Sequence, residues 1–328
     1  MKKKWAICGL GRIAERFFAV ANDIEDIQIT ALASSDQDRA TQWAKQHNIQ
    51  AKVYTYDELS TATDIDAIYV ATNNHLHYPI VCQLLQNKKA ILCEKPFALN
   101  DQQSAEMIAL AQNNSVLLME AMWTKFLPTS LQVRDLLQKK TYGEIKSVKS
   151  HFFIDVLDEP THRVFDKTVG GGVLLDLGVY PLSYLYAIQG GHNGLHTLQD
   201  IQASATLQNG VDINTQMTLA YDTFTANLQV ASDQRSRSSN FTIECQNATI
   251  SIDNFNGAKT YDLIQNGKTQ TIDVGDTKDG FYYEVAHFVD LLSQNAKQSP
   301  IQSLQDSQNI MQLMTQIGKQ IGLPYHQS

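Results

Sequence analysis

Long apolar runs are missing from this 328-residue chain; no stretch approaches the ~20 apolar residues that a membrane-spanning helix requires. A basic surplus is missing too. Lys and Arg total 26 against 34 Asp and Glu, a formal charge of −8, which argues against a broad surface for nucleic acid or anionic lipid and for a small-molecule partner. Cysteine is scarce: Cys8, Cys82, Cys93 and Cys245 lie far apart with no CxxC pair, which speaks against a zinc knuckle or a dense disulfide framework. The opening Met1-Lys2-Lys3-Lys4 looks like the start of a signal peptide, but Gly9, Gly11, Arg12, Glu15 and Arg16 interrupt any apolar core behind it. Cytoplasmic residence is therefore the expectation. There is no internal repeat and no low-complexity linker.

What the chain has is length and alternation. Its length exceeds what one core usually supports, so two domains are expected. Short apolar runs at Trp5 to Cys8, Ile27 to Ala33, Lys52 to Tyr54, Ala67 to Ala71, Ala90 to Cys93 and Val116 to Met119 read as strands. Helical spacings separate them: Arg12 to Ala21, Asp36 to His47, a short stretch after Asp57, Tyr78 to Gln86, and a stretch opened by Asn100 with Gln103 at capping-box spacing. Strands alternating with helices of this length make a doubly wound, parallel α/β sheet over residues 1–121. After Ala121 the texture changes. Helical stretches at 129–137 and 176–187 flank a strand at 145–154, and residues 198–274 alternate polar and apolar positions, punctuated by Asn209-Gly210, Asn256-Gly257 and Asn266-Gly267. Residues 122–328 thus read as a second α/β domain with an open, mostly antiparallel sheet, closed by two late amphipathic helices near 282–292 and 303–321.

Three stretches carry chemistry. Gly9-Leu10-Gly11-Arg12-Ile13-Ala14 is a GxGxxA pattern between a strand and a helix: one glycine for the tight turn, one for close approach to a pyrophosphate at the helix N-terminus, and Ala14 where helix meets strand. About twenty residues on, where NAD-preferring sites place an acid, stand Ser34 and Ser35, then Asp36 and Arg39. Hydroxyls with a nearby arginine suit a 2′-phosphate, so NADP is favoured over NAD. Thr72, Asn74 and His77 follow the fourth strand at the sheet edge where ligands of such folds sit, and Glu94-Lys95-Pro96 ends the fifth. His75 and His77 form an HxH pair, but no matching ligand set appears elsewhere and no metal site is expected. Lys95 is read as polarising a substrate hydroxyl or lowering a neighbouring acid's pKa. Finally, Gly170-Gly171-Gly172 precedes Asp176 and Tyr180, four apart and so on one face of a helix. Tyr180, paired with Lys95, is a candidate proton donor and acceptor.

In that order and spacing, these motifs resemble the glucose-fructose oxidoreductase, inositol dehydrogenase and rhizopine-catabolism (Gfo/Idh/MocA) family. The stretch Met119 to Pro128, with tyrosine at position 180, resembles the subgroup that includes dimeric dihydrodiol dehydrogenases and NADP-dependent xylose dehydrogenases. The resemblance implies a Rossmann domain, a C-terminal domain with an open sheet, dimerisation, and hydride exchange between a hydroxyl-bearing carbon of a sugar or vicinal diol and a nicotinamide. It implies Lys95 and Tyr180 as catalytic groups with Asp176 beside the tyrosine. It also implies Trp123 and Phe126 as pocket walls. From the motifs themselves, Gly9, Gly11, Arg12, Ile13, Ser34, Ser35, Arg39, Thr72, Asn74, His77, Glu94 and Lys95 are expected around the cofactor. The chain departs at Thr72-Asn73-Asn74, where the family often has Thr-Pro-Asn, and at Ser35, where the subgroup often has arginine. A non-catalytic dinucleotide or sugar sensor on the same fold is the other reading; a sensor has no need of Lys95 and Tyr180.

Overall fold

In the first third of the chain, apolar strands too short to stand alone are each followed by a helix with one apolar face, and burying both kinds of face produces a layered α/β unit. In the computed structural model, which describes residues 2–191, 194, 196–275 and 278–326, the strands are β1 (Lys3–Cys8), β2 (Ile27–Ala33), β3 (Lys52–Tyr54), β4 (Ala67–Val70), β5 (Ala90–Glu94) and β6 (Leu118–Ala121). They form one parallel sheet in the order β3-β2-β1-β4-β5-β6. That is the doubly wound dinucleotide-binding order, with its switch point between β1 and β4. The helices are α1 (Arg12–Ala21), α2 (Gln37–Gln46), α3 (Tyr56–Thr61), α4 (Asn74–Gln86) and α5 (Asp101–Asn114).

By its contacts the chain forms two compact units, Met1–Trp123 with Lys278–Gln308, and Thr124–Thr277 with Asn309–Ser328. The linear division expected at residue 121 lies near the first crossing but does not express the return of 278–308, and its ranges include residues outside the description. The returning segment supplies α8 (Gly280–Ser293), which packs beside α1. Trp5, Phe17 and Phe288 meet there, with ring centroids 5.6 and 5.3 Å from Trp5, and Tyr69 stacks on Phe17 at 3.9 Å.

The second unit is built on β7 (Ile145–Asp155), β8 (Leu198–Gln208), β9 (Val211–Tyr221), β10 (Thr225–Ala231), β11 (Asp233–Cys245), β12 (Thr249–Asp253), β13 (Thr260–Gln265) and β14 (Lys268–Asp273). The order is β14-β13-β12-β11-β7-β10-β9-β8, and only β7 with β10 runs parallel. One face is apolar, with Val148, Met217, Ala226, Leu228, Phe241 and Ile243 buried, and α7 (Val179–Ile188) packs on it beside α6 (Pro128–Gln138). Asn209-Gly210 and Asn266-Gly267 are two-residue hairpin turns with positive φ at both positions. Asn256-Gly257 is not: it lies in the longer connection between β12 and β13, where Asn254 carries the positive φ.

Two other local expectations shift. β6 runs Leu118–Ala121, two residues later than its apolar run suggests. α4 begins at Asn74, a full turn before Tyr78, with Pro79 inside it; the proline gives up a single ladder bond. His75 and His77 therefore stand on a helix, where residues two apart diverge, rather than on a strand.

Candidate active site

β1 and β4 meet at their carboxyl ends. The Ala71 amide donates to Cys8 O at 2.7 Å and the Gly9 amide to Ala33 O at 2.9 Å. Gly9 turns there with φ +91°, and a Cβ would lie 2.7 Å from Ala71 O and 2.8 Å from Thr72 Cγ2, so only glycine fits. Gly11 caps α1 without a side chain, and a Cβ built on it would meet nothing within 4 Å. Arg12 and Ile13 open α1 behind it, and Ala14 is buried. Open space in front of a helix N-terminus is where a pyrophosphate is held. Thr72 Oγ1, buried at the same edge, has no hydrogen-bond partner among the described residues.

The end of β2 is organised around α2. Asp36 accepts from the Arg39 amide at 2.9 Å, so its carboxylate is committed to capping that helix. Ser34 is buried and its Oγ accepts from the Asp36 amide at 3.1 Å. The Arg39 guanidinium donates to the Leu10 carbonyl and thereby lies against the glycine turn. Tyr56, which sequence reasoning missed, hydrogen-bonds Ser35, and burial pushes its phenol above the usual range.

At the ends of β4 and β5 the expected residues are brought together, mostly beneath the surface. His77 is fully buried, with Nδ1 2.8 Å from Pro96 O and Nε2 3.1 Å from Thr72 O, so it ties the two loops to each other. Asn74 is buried on the same helical turn. Glu94, also buried, accepts from Tyr69 Oη at 2.5 Å and from the Lys95 amide at 3.2 Å. Its carboxylate fixes the backbone from which Lys95 projects. Trp123 packs 5.5 Å from the Phe281 ring, with the Arg16 guanidinium 4.5 Å above its centroid.

In the second unit the glycines before Tyr180 serve a close approach between protein segments. A Cβ on Gly171 would strike the carbonyls of Arg163, Val164 and Asp166 at 2.7–2.8 Å, and one on Gly172, at φ +105°, would lie 2.2 Å from Asp212 Oδ1. Asp212 holds the segment from below, accepting from the Leu174 amide at 2.8 Å and Thr215 Oγ1 at 2.5 Å, and burial pushes its carboxyl up to about 6. Residues 174–178 form one π turn before α7 begins, a local irregularity common at functional sites. Asp176 sits on that turn, buried and paired with Arg163 at 2.5 Å. Tyr180 is the second residue of α7, with its ring 5.6 Å from Phe152. Phe126 is buried within this unit. Arg163 and Asp212 had no motif to mark them.

Comparison with known proteins adds to this geometry. A trans-1,2-dihydrobenzene-1,2-diol dehydrogenase of Xenopus laevis is 33% identical over 336 residues, covering 99% of this chain and all of that protein. Residues 3–122 match "Oxidoreductase family, NAD-binding Rossmann fold" and residues 130–251 match "GFO/IDH/MocA C-terminal domain". The chain belongs to the Gfo/Idh/MocA oxidoreductase family. A scyllo-inositol 2-dehydrogenase (NADP(+)) of Bacillus subtilis is 30% identical, with 98% of each chain covered. Among solved structures, the aldose-aldose oxidoreductase of Caulobacter crescentus superposes with a TM-score of 0.87 at 20% identity, over 98% of this chain and 97% of that one. The 3-ketoreductase KijD10 of Actinomadura kijaniata gives 0.86 at 21%, over 98% of each. At that identity these two show the fold alone. As a member of the Gfo/Idh/MocA family the chain is a nicotinamide-dependent oxidoreductase, and the parallel sheet, the glycine turn and the open space at Gly11 fit a dinucleotide.

Proposed function

We propose that this chain exchanges a hydride between NADP(H) and a secondary hydroxyl of a sugar or a cyclic vicinal diol. The observation that carries the reading is Lys95 at the carboxyl end of β5, its backbone fixed by a buried carboxylate, in a chain that also carries Tyr180 on a braced π-to-α junction. When bound, the nicotinamide supplies the hydride acceptor or donor. The chain's own residues handle the proton. In oxidation the Tyr180 oxygen takes the hydroxyl proton, and in reduction it returns one; the Lys95 ammonium is assigned as a second catalytic group, a charged donor suited to a substrate hydroxyl. Asp176, anchored by Arg163, keeps the segment of Tyr180 in place, and Trp123 and Phe126 shape apolar walls.

The reading favours NADP because Asp36 is spent on the α2 cap while Arg39 lies against the glycine turn. The cofactor contacts are assigned to Gly9, Gly11, Arg12, Ile13, Ser34, Ser35, Arg39 and Thr72 directly, with Asn74, His77 and Glu94 supporting the loops. The first unit is thus the nucleotide unit and the second the substrate unit. A small ring-bearing alcohol is consistent with the named activities of the curated relatives. We further propose cytoplasmic residence; among the described residues no helix is long and apolar enough to cross a membrane. It is assigned as a homodimer joined through the polar face of the eight-stranded sheet, a hollow of about 280 Å³ lined by residues such as Lys149, Gln216 and Asn227.

The test is fluorescence titration with NADPH and NADH, followed by a panel of aldoses, inositols and vicinal diols with the oxidised cofactors. Turnover of a panel member is expected, and Tyr180→Phe and Lys95→Met should each lower it by about 10²-fold or more while NADPH still binds, the scale of a lost general acid or base. Tyr180→Phe turning over at the parental rate would remove the tyrosine from the reaction. Binding without any turnover would favour the sensor.

A further inference from the structure

The first unit contains a buried acid that this reaction does not use. Glu284 lies on α8 with no exposed surface, and among the described residues neither of its carboxylate oxygens has a hydrogen-bond partner. It occupies the inward stripe of that helix with Phe281, Val285 and Phe288. Three other carboxyls, Glu94, Glu120 and Asp306, are buried in this unit, and the two on the sheet have donors. Glu94 on β5 holds Tyr69 Oη and the Lys95 amide. Glu120 on β6, the neighbouring strand, accepts from Gln302 Nε2 at 2.9 Å and from Ser307 Oγ at 2.8 Å.

The charged groups that act on Glu284 are Glu94 and Glu120 from the sheet, Arg16 from α1 and Asp279 at the start of α8. Arg16 is the one cation among them, and it is already engaged with Asp279 at 3.0 Å and with the rings of Trp123 and Phe281. An ionised carboxylate without a donor, under the repulsion of two further buried carboxyls, is strongly disfavoured in a dry interior. Burial, then the charge of Glu94, hold its carboxyl well above the usual range, with Arg16 opposing them.

We propose that Glu284, held without a donor on the inward stripe of α8, is a positioning acid that stays uncharged and so leaves Glu94 its hold on the Lys95 amide. Loss of the Glu284 proton would set two carboxylates against each other and loosen the loop bearing Lys95. The inference rests on the assignment of Lys95 to the reacting hydroxyl, and its physical core can be read without turnover.

The experiment uses the full chain and its Glu284→Gln variant, which mimics the neutral acid and cannot titrate. Infrared difference spectra should show the C=O band of a protonated carboxyl in the parent at neutral pH, absent from the variant. Between the ordinary carboxylate range and neutral pH the unfolded parent releases this proton and the folded parent keeps it. The folding constant of the parent should therefore fall about tenfold per pH unit relative to the variant. NADPH affinity and kcat should fall on the alkaline side in the parent at a lower pH than in the variant. Should the glutamine variant fail to fold, Glu284→Met removes the charge at similar length and serves the same comparison. Absence of the band, or a stability difference that does not change with pH, would overturn the neutral acid. Coincident alkaline limbs for NADPH affinity would overturn the positioning role. A chain that shows the band and the slope but turns over no alcohol would instead count against the proposed reaction.

Discussion

Asp212→Asn offers a sharp test of how the Tyr180 segment is held. Asp212 is fully buried between two opposing influences: loss of water raises its carboxyl, and hydrogen bonds from Thr215 and the Leu174 amide lower it, with burial winning and the group pushed from 3.8 to about 6. The folded chain thus keeps this proton to about pH 6, whereas the unfolded chain releases it near 3.8. In that window the folded state binds more protons, so its stability falls as pH rises. At 1.36 kcal/mol per pH unit the loss amounts to about 3 kcal/mol above pH 6. Asparagine keeps an acceptor for Leu174 N and carries no charge at any pH. The stability of the variant relative to the parent should therefore rise by about 2.4 kcal/mol between pH 4 and pH 7.5, roughly 5–10 °C in the melting of a unit of this size. Thermal unfolding across that range measures it, and hydrogen exchange of residues 163–188 should show the change concentrated beside the π turn. A variant that loses ground steadily as pH rises would mean that the hydrogen bonds outweigh desolvation, and the reasoning would be wrong in sign.

Other outcomes follow from the nucleotide side. Gly9→Ala forces a side chain into a positive-φ turn 2.7 Å from Ala71 O; it should cost about 1–3 kcal/mol of stability and weaken NADPH binding, measured by melting and titration. Equal stability would mean that the turn can relax. Arg39→Ala should lower NADPH affinity by about tenfold or more while leaving NADH nearly untouched, the scale of a lost charge-assisted hydrogen bond; an unchanged ratio of the two dissociation constants would count against a 2′-phosphate contact.

Much of the fold was legible because its elements announce themselves locally. Strand, glycine turn and helix in Trp5 to Ala21 need no distant partner to be recognised, and the two Asn-Gly hairpins fix their own geometry. Failures came where a distant contact decides. Nothing near Tyr78 shows that α4 starts a turn earlier, and the amphipathic pattern of α8 tells that it is covered but not that the covering partner is α1. At the candidate site, motif residues were legible and their supports were not. Asp212 is a lone acid between Val211 and Ile213, a pattern that marks a buried carboxyl only when a partner such as Leu174 N is known to lie opposite. Glu284 did leave a signal: it falls on the apolar stripe of its helix, where a charged residue is out of place.

The return of α8 to the first unit has a consequence for how the protein is made. Trp5 finds the ring of Phe288 only after 283 more residues have been synthesised, a delay of about 15–60 s at common translation rates. Until then the face of the parallel sheet that α8 covers is open on the ribosome, and a nascent chain of this kind is exposed to association with its neighbours or capture by chaperones. A fragment ending after β6 would live permanently in that state.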